Sequence, residues 1–501
     1  MDTQMMPNFL IKRAFLTPNR TAVYFQDQSF SFKKLYDRSL ETAGRLQAFG
    51  INKNHFVGVL LTNHLDTVVI LFALQLLGAK AVMLNHRLTS TELLWQLRDS
   101  KASFLILEDF FLETEKIKHQ EIEQPLMTIT KKQLKECEST PPVVQEEISL
   151  ADICTIMYTS GTTGNPKGVI QTYGNHWWSS TGSALNLGTI ESDCWLCSVP
   201  LFHISGYSIL MRSVIYGMPI VLHEKFDEER TIQDIQLKRV TIMSVVGTML
   251  TQIVNRLEER RLPDFFRCML LGGGPAPLPL LEACVNKDIP VFQTYGMTET
   301  SSQIVTLAPE DSLQKLGSAG KPLFPSQVRI ELENGAIAGA GLAGEIVVKG
   351  PNVTLGYLYR PEVTRDKIRN GWLYTGDIGY MDEEGFLYVM DRRSDLIISG
   401  GENIYPAELE AILLAHPDVI EAGVTGIEDP KWGQIPVAFI VKKEGTALSQ
   451  EEIQQFCTER LAKYKVPKAV YFTEHLPRNA AKKLLRRKLR EWVKGNEHCS
   501  D

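Results

Sequence analysis

The sequence has no apolar run long enough to cross a membrane and no export signal. Its most apolar stretch, residues 67–78, is about a dozen residues long, whereas a transmembrane helix needs ~20. Residues 1–20 lack the apolar core and the small-residue cleavage site of a signal peptide. The eight cysteines are scattered along the chain, which is typical of reduced thiols rather than of a disulfide framework. These absences predict a cytoplasmic protein with no transmembrane segment.

The chain also lacks an excess of positive charge, since its formal net charge is -6. Such a protein has no general attraction for nucleic acid, and any anionic ligand must be bound by local donors. A chain of 501 residues, 44% of them hydrophobic, exceeds what one core usually organises. We therefore expect at least two domains, small-molecule ligands and no nucleic-acid partner. The sequence leaves the oligomeric state open, a homo-oligomer included.

Strand and helix patterns alternate in the first part of the chain. Residues 56–61 and 79–84 have the short apolar pattern of buried strands, and residues 65–77 between them have that of a buried helix. Similar strand patterns recur at residues 102–107, 219–223, 241–246 and 268–271. Repeated βαβ units predict doubly wound parallel sheets and therefore an α/β fold.

The pattern changes after residue 331. Residues 331–390 are rich in glycine and short β-branched runs, which predicts antiparallel strands or a small β-barrel-like subdomain. We predict a large N-terminal domain of residues 1–392 and a small α+β C-terminal domain of residues 393–501. The C-terminal elements expected are helices at residues 406–414 and 450–463 and strands at residues 419–424 and 436–441.

The densest motif is Tyr-Thr-Ser-Gly-Thr-Thr-Gly-Asn-Pro-Lys-Gly at residues 158–168. Its glycines let the backbone approach an anion closely, and its hydroxyls and Lys167 are further donors to phosphate oxygens. It is not the loop of P-loop nucleoside triphosphatases, because glycine and valine, not serine or threonine, follow Lys167. A plain surface connection is the alternative. The predicted pyrophosphate-binding residues are Thr159, Ser160, Gly161, Thr162, Thr163, Gly164 and Lys167.

Three further clusters carry chemistry. The Gly-Gly-Gly-Pro run at residues 272–275 leaves room for a flat base, although alone it is only a turn signal. Residues 295–299, Tyr-Gly-Met-Thr-Glu, combine a stacking ring, a phosphate donor and a carboxylate of the kind that binds Mg²⁺. The Thr-Gly-Asp sequence ending at Asp377 offers a carboxylate to two ribose hydroxyls, or is only a turn. Each cluster alone is weak evidence, so their combination matters.

In this order and spacing the clusters resemble those of the adenylate-forming enzymes, which include acyl- and aryl-CoA synthetases, luciferases and the adenylation domains of peptide synthetases. The resemblance covers nearly the whole chain. It implies that ATP and Mg²⁺ bind at the clusters, and that a carboxylic acid becomes first an acyl-adenylate and then a CoA thioester. It also implies that the small C-terminal domain is mobile and rotates between the two half-reactions.

The resemblance assigns roles to the matched residues. The essential lysine corresponds to Lys483, with Lys482 as the alternative, because the family usually has glycine at the position of Lys482. The hinge corresponds to Ser394, and residues 400–403 correspond to the loop that enters for the thioester step. The remaining implied residues are Thr298, Glu299 and His203 in catalysis, Glu299 for Mg²⁺, and Gly272, Gly273, Gly274, Pro275, Tyr295, Gly296, Met297, Asp377 and Arg392 for the nucleotide.

A closer likeness narrows the range of carboxylic acids that are possible substrates. Several segments are similar to the family members that activate 2-succinylbenzoate for menaquinone (vitamin K2) biosynthesis. That acid has two carboxylates and only the succinyl one is activated, so the pocket must neutralise the one on the ring. The segments that carry this likeness are residues 171–176, 200–206, 271–281, 301–307 and 315–323.

Arg212 is the candidate for binding the ring carboxylate, with Ser302 and Gln303 as neutral donors. The alternatives for Arg212 are an exposed helix residue or an internal ion pair. His203 is expected to line the acyl channel. At the level of function, the alternatives are a ligase for another carboxylic acid and a nucleotide-binding homologue without turnover.

Overall fold

The structure is a computed structural model that describes residues 4–113, 125–160, 166–273, 276, 278–391, 395, 397–404, 406–477, 484 and 486–495. Up to residue 160 the strands are β1 (Met5–Pro7), β2 (Thr21–Phe25), β3 (Gln28–Ser31), β4 (Phe56–Leu60), β5 (Lys80–Met83), β6 (Phe104–Leu107), β7 (Met127–Thr130), β8 (Glu147–Ser149) and β9 (Ile153–Ser160). The helices there are α1 (Phe9–Leu16), α2 (Phe32–Ala48), α3 (Leu65–Leu77), α4 (Ser90–Asp99), α5 (Asp109–Glu113) and α6 (Lys131–Glu136).

From residue 166 the strands are β10 (Pro166–Thr172), β11 (Trp195–Cys197), β12 (Ile220–Leu222), β13 (Ile242–Val246), β14 (Cys268–Gly272), β15 (Val291–Met297), β16 (Ser302–Leu307), β17 (Ser318–Pro322), β18 (Gln327–Glu331), β19 (Gly344–Lys349), β20 (Ile368–Arg369), β21 (Trp372–Met381) and β22 (Leu387–Asp391). The helices are α7 (Tyr173–Leu187), α8 (Ile204–Tyr216), α9 (Glu228–Leu237), α10 (Gly247–Leu257), α11 (Leu278–Asn286) and α12 (Pro361–Lys367). The C-terminal part has β23 (Ile397–Ser399), β24 (Glu402–Ile404), β25 (Val419–Asp429), β26 (Gly433–Lys442) and β27 (Ala469–Phe472), with α13 (Pro406–Leu414), α14 (Gln450–Thr458) and α15 (Arg486–Gly495).

The first large sheet has six strands in the order β10-β9-β5-β4-β6-β7, all parallel except for the β9–β10 pair. Strands β4, β5 and β6 are almost entirely buried, as parallel strands covered on both faces are. Helix α3 is buried along its whole length, begins after the capping side chain of His64 and ends at Gly78 in the left-handed conformation. The predicted β4-α3-β5 unit is confirmed.

The second large sheet has a parallel centre in the order β15-β14-β13-β11-β12-β2. On one side it continues through the antiparallel strands β16 and β17 into β22, β21, β19 and β18. The antiparallel character predicted for residues 331–390 is therefore confirmed. Among the described residues, no helix is both long enough and apolar enough to span a bilayer.

The C-terminal part forms a third sheet in the order β24-β23-β26-β25, with β27 parallel to β26. Helices α13 and α14 share an apolar core with this sheet. The helix predicted for residues 450–463 is too long, because α14 ends at Thr458. The residues that follow it contact α4 instead, where the Ala462 amide donates a hydrogen bond to Oε2 of Glu92 at 3.1 Å. A tertiary contact thus overrides the local helical pattern.

Candidate active site

A cavity of about 280 Å³ lies where the carboxyl ends of parallel strands from both large sheets meet. Its lining includes the last residues of β5, β13, β14 and β15, which are Met83, Val246, Gly272 and Met297, together with Thr159 near the end of β9. In open α/β sheets, ligands bind outside the carboxyl ends of the strands. The cavity is therefore where the fold itself predicts a binding site.

The phosphate loop begins at this cavity. The β9–β10 pairing places Lys167 directly opposite Thr159. Burial lowers the pKa of Lys167, as does the nearby charge of Lys367, while the carboxylate of Glu299 opposes both. The predicted loop residues Gly161, Thr162, Thr163 and Gly164, and the side chain of Ser160, lie outside the described residues.

Thr298 and Glu299 lie on a short 3-10 turn that follows β15, and both line the cavity. The Tyr357 hydroxyl donates a hydrogen bond to Oε1 of Glu299 at 3.0 Å. Within the described ranges, no three histidine, cysteine or acidic side chains form a metal-binding cluster. Mg²⁺ usually takes only one or two protein carboxylates and completes its shell with phosphates and water, so the single carboxylate of Glu299 beside Lys167 fits such an ion.

Gly272 and Gly273, together with Thr294 and Gly296 of β15, line the part of the cavity where the sequence predicts that adenosine binds. An added Cβ at Gly296 would lie 2.1 Å from the carbonyl oxygen of Ser302, so only glycine fits there. The predicted residues Gly274, Pro275 and Arg392 lie outside the described residues.

Tyr295 and Asp377 are buried and lie side by side. The Tyr295 hydroxyl donates a hydrogen bond to Oδ2 of Asp377 at 2.6 Å. The structure thus brings together two predicted nucleotide-binding residues that are 82 positions apart. Neither is part of the cavity lining, and the stacking and ribose-binding roles stay predictions.

Arg212 lies on α8, is only 1% exposed and lines the cavity. Its Nη2 donates to Oγ of Ser302 at 3.2 Å and to Oε1 of Gln303 at 3.3 Å. The guanidinium carbon lies 5.0 Å from the centre of the Trp195 ring. Nε has no hydrogen-bond partner among the described residues. The described groups that oppose the effect of burial on the pKa of Arg212 are Tyr216 and Cys268, and neither is a carboxylate. The exposed-residue alternative is therefore wrong, and the ion-pair alternative has no support.

The backbone that presents Ser302 to Arg212 is strained. Ser301 and Ser302 have φ angles of 53° and 114°, values that non-glycine residues seldom adopt. Such residues persist only where the surroundings hold them, and they concentrate at functional sites. Here the Ser179 hydroxyl donates to the carbonyl of Ser301 at 2.6 Å, and the Asn352 amide donates to the carbonyl of Thr300 at 3.1 Å.

The C-terminal part closes the cavity. Gly401 and Glu402 line it, and Glu402 contacts Nε2 of His203 at 3.2 Å and also forms an ion pair with Arg87. Burial by itself raises the pKa of Glu402, but the hydrogen bond and charge of His203 and the charges of Arg87 and Lys465 outweigh burial and lower it to about 2. Glu402 is therefore ionised at neutral pH. The loop that the resemblance associates with the thioester step lies at the cavity.

Sequence reasoning missed Tyr464 and Lys465, which also line the cavity. It also missed Glu92 of α4, which forms an ion pair with Lys465. The capping-box spacing of Thr89 and Glu92 was readable as a helix start, but no local signal indicated its distant partner. Both candidates for the essential lysine, Lys482 and Lys483, lie outside the described residues.

Sequence profiles of the AMP-binding enzymes and of the AMP-binding enzyme C-terminal domain match residues 11–358 and 408–483. The chain belongs to the AMP-binding enzyme family. It is 55% identical over 493 residues to the 2-succinylbenzoate-CoA ligase of Geobacillus sp. (strain WCH70), a match that covers 98% of this chain and 99% of the relative.

The fold is similar to solved structures of the o-succinylbenzoate CoA synthetase of Bacillus subtilis, which confirms the α/β fold class. A double mutant bound with its product analogue OSB-NCoA has a TM-score of 0.92 at 50% identity, covering 97% of this chain and 98% of that one. The complex with the acyl-adenylate intermediate OSB-AMP has a TM-score of 0.76 at 48% identity, covering 99% and 100%. The complex with ATP and magnesium ion has a TM-score of 0.76 at 49% identity, covering 97% and 100%. At nearly equal identity and coverage, the TM-score of this chain is higher to the product-analogue complex than to the other two complexes.

Proposed function

We propose that the chain is an acid-thiol ligase that joins 2-succinylbenzoate to CoA, with ATP and Mg²⁺, and releases AMP and pyrophosphate. Its product, 2-succinylbenzoyl-CoA, is an intermediate of menaquinone biosynthesis. The similarity to full-length ligases of this acid supports the reaction. Arg212 is the observation that carries the choice of acid, because it is a buried cation whose described neighbours are neutral, and a dicarboxylate supplies the missing counter-charge.

In the first half-reaction the succinyl carboxylate attacks the α-phosphorus of ATP, an acyl-oxygen-phosphorus link forms, and pyrophosphate leaves. Negative charge spreads over the phosphoryl oxygens during this step, so positioned cations provide most of the catalysis. Thr159, which lines the cavity, and Lys167, which pairs opposite it, are proposed to bind the phosphates that depart. Lys483 is proposed to offset the charge at the α-phosphate. A magnesium ion held by Glu299 would neutralise further phosphate charge.

In the second half-reaction the thiol of CoA gives its proton to solvent and its sulfur attacks the acyl carbon. The carbon–sulfur bond forms, the bond between the acyl carbon and the phosphate oxygen breaks, and AMP leaves with that electron pair. AMP is a good leaving group, whereas the oxygen of a free carboxylate is not. In the described arrangement Glu402 contacts His203 at the acyl side of the cavity. This contact orients the imidazole that lines the path to the acyl carbon. We place the reaction in the cytoplasm, where ATP and CoA are available.

The decisive experiment is mass spectrometry of the thioesters formed from a mixture of 2-succinylbenzoate, benzoate and octanoate with ATP, Mg²⁺ and CoA. We expect 2-succinylbenzoyl-CoA to be the dominant product. If the octanoyl or benzoyl thioester were dominant, that acid would replace 2-succinylbenzoate as the proposed substrate. If neither a thioester nor pyrophosphate formed, the proposed ligase activity would be rejected.

The essential lysine is tested by Lys483→Ala with Lys482→Ala as its matched control. We expect Lys483→Ala to lower acid-dependent pyrophosphate release by about 100-fold or more, as loss of one transition-state donor does, and to leave ATP binding largely intact. Lys482→Ala should keep most of the activity. The opposite result would identify Lys482 as the essential lysine. Full activity in both variants would show that neither lysine of this motif is essential.

A further inference from the structure

Lys465 is a buried ammonium group held between two carboxylates from different parts of the chain. Its Nζ lies 2.8 Å from Oε1 of Glu92 and 2.7 Å from Oε1 of Glu408. Glu92 lies on α4, next to the first large sheet, whereas Glu408 lies on α13, in the same C-terminal part as Lys465. Lys465 therefore pairs once within the C-terminal part and once across to the N-terminal part.

Glu92 contacts the C-terminal part through both carboxylate oxygens. Oε2 accepts hydrogen bonds from the backbone amide of Thr89 at 2.8 Å and from that of Ala462 at 3.1 Å. The first of these bonds completes the capping box of α4. The Thr89 hydroxyl also donates to the carbonyl of Arg460 at 3.0 Å. One turn of helix thus binds residues 460–465 through a charge and two hydrogen bonds.

The pairing is placed where it affects the chemistry. Tyr464 and Lys465 line the same cavity as Gly401 and Glu402. Glu92, Glu408 and Lys465 are nearly excluded from water, with side chains 10%, 5% and 6% exposed. Ionic interactions at such sites are screened little by solvent and salt. Holding Lys465 against Glu92 therefore holds the loop of Gly401 and Glu402 at the cavity.

Because Lys465 has two carboxylate partners, the contact between Lys465 and Glu92 can also break without leaving the lysine unpaired. If the C-terminal part turned away, Lys465 would keep Glu408, and Glu92 would keep its hydrogen bond to Thr89. Neither domain would be left with a buried charge that has no partner, which is the costly outcome when an ordinary buried ion pair is broken. The relative from Bacillus subtilis has structures with different TM-scores to this chain, 0.92 and 0.76, so more than one arrangement exists for such proteins.

We propose that Glu92 is a positioning residue for thioester formation, holding the C-terminal part through Lys465 in the arrangement that brings Glu402 to the cavity. This inference rests on the proposed two-step ligase reaction. It assigns to Glu92 no contact with substrate. We predict that removing the charge of Glu92 slows the second half-reaction selectively, because the first half-reaction does not need this arrangement.

The test is Glu92→Gln, since glutamine keeps the capping box and removes only the charge. The first half-reaction is measured as pyrophosphate release without CoA, and the second as CoA-dependent consumption of the pre-formed acyl-adenylate in a single turnover. We expect the second rate to fall about tenfold or more, and pyrophosphate release to stay unchanged or rise. Lys465→Gln removes the pair with Glu92 and also the pair with Glu408, so it should slow the second half-reaction more than the first and also lower the melting temperature.

Glu452→Gln is the matched control. Glu452 completes an equivalent capping box with Ser449 at the start of α14, but it is exposed and contacts only its own helix start among the described residues. We expect it to leave both half-reactions at wild-type rates. Melting temperatures of all variants show whether each is folded.

Equal losses in both half-reactions would make Glu92 a merely structural residue, and wild-type rates in both would show that the pair positions nothing. Either outcome overturns the inference. Failure of the proposed function is a separate result, in which the wild-type protein releases no pyrophosphate with 2-succinylbenzoate. If another acid is the substrate, the ratio of the two rates is measured with that acid and tests Glu92 equally well.

Discussion

Arg212 and Lys465 are both buried cations that line the same cavity, yet their surroundings are opposite. The described groups that accept from Arg212 are neutral, namely the side-chain oxygens of Ser302 and Gln303 and the hydroxyl of Tyr216. Lys465 has two carboxylates within 2.8 Å. Both cations line the cavity, the first from α8 and the second from the C-terminal part, where it contacts Glu92 of α4.

The pKa shifts follow from this difference. Burial lowers the pKa of Arg212 more than Tyr216 and Cys268 raise it, and among the described residues no carboxylate opposes the effect of burial. Burial also lowers the pKa of Lys465, but the charges of Glu408 and Glu92 outweigh burial and raise it above the usual value. A buried cation with its own carboxylates organises the protein, whereas one without them is ready for an anionic ligand.

The largest effect that tests this comparison is on substrate use. We expect Arg212→Met to lower kcat/KM for 2-succinylbenzoate by roughly 100- to 1000-fold, since losing one member of a buried charge pair typically costs about 2–5 kcal/mol. The same variant should use 4-oxo-4-phenylbutanoate, which lacks the ring carboxylate, at least as well as the wild type does. Steady-state kinetics with both acids measure the two values. Equal losses for both acids would show that Arg212 does not bind the ring carboxylate.

The next largest effect is on the stability of the protein without ligand. Replacing the two cations should change the free energy of unfolding differently. Lys465→Met leaves Glu92 and Glu408 buried without their cation, so we expect the free energy of unfolding to fall by about 3–5 kcal/mol. Arg212→Met removes a buried charge that lacks a counter-ion, so its unfolding free energy should be unchanged or higher. Urea denaturation measures both. A large loss in Arg212→Met would contradict the idea that this cation awaits a ligand.

A third test uses the ligand itself. A saturating concentration of 2-succinylbenzoate, about 100 times its dissociation constant, should stabilise the wild-type protein by about 2.7 kcal/mol. Lys465→Gln should keep this stabilisation, whereas Arg212→Met should lose most of it. Thermal unfolding with and without the acid is the measurement. Stabilisation that depended on Lys465 and not on Arg212 would reverse the assignment of the two cations.

The smallest effect near neutral pH concerns Glu402. Its pKa is lowered from 4.5 to about 2 by His203, Arg87 and Lys465 against the effect of burial. A carboxyl whose folded-state pKa is lowered contributes stability that is present above its unfolded pKa and is lost as pH falls through the folded value. We therefore expect the stability difference between wild type and Glu402→Gln to be fully present at about pH 4.5 and to shrink toward pH 2. A difference that does not change over this range would show that the ion pairs of Glu402 contribute nothing.

The sequence predicted elements and motifs well where the signal is local. The β4-α3-β5 unit follows from short apolar runs around a buried helix, and its strands and helix are where the pattern places them. Thr159, Thr298 and Glu299 line the cavity together with Gly272, as the motif order indicated. The sequence identified Arg212 as a candidate for substrate binding. It did not show that Arg212 is buried, because the apolar residues around it in the helix do not indicate which way the arginine faces.

The sequence could not show contacts between distant segments. The end of α14 at Thr458 depends on what residues 459–465 touch, and that partner lies on α4. The hydrogen bond between Tyr295 and Asp377 depends on how β15 and β21, two strands of the second sheet, are arranged in space. Neither has a local sequence signal.

By itself the sequence indicated the class of chemistry, because its clusters of hydroxyls, glycines, a lysine and carboxylates stand in the order and spacing of the adenylate-forming enzymes that they resemble. Only the tertiary structure decided which charges are paired. Glu92 and Lys465 are 373 residues apart in the chain and 2.8 Å apart in space, whereas Arg212 is buried among neutral groups. The physical reason is that charge pairing depends on distance and burial, which are properties of the folded chain and not of the order of its residues.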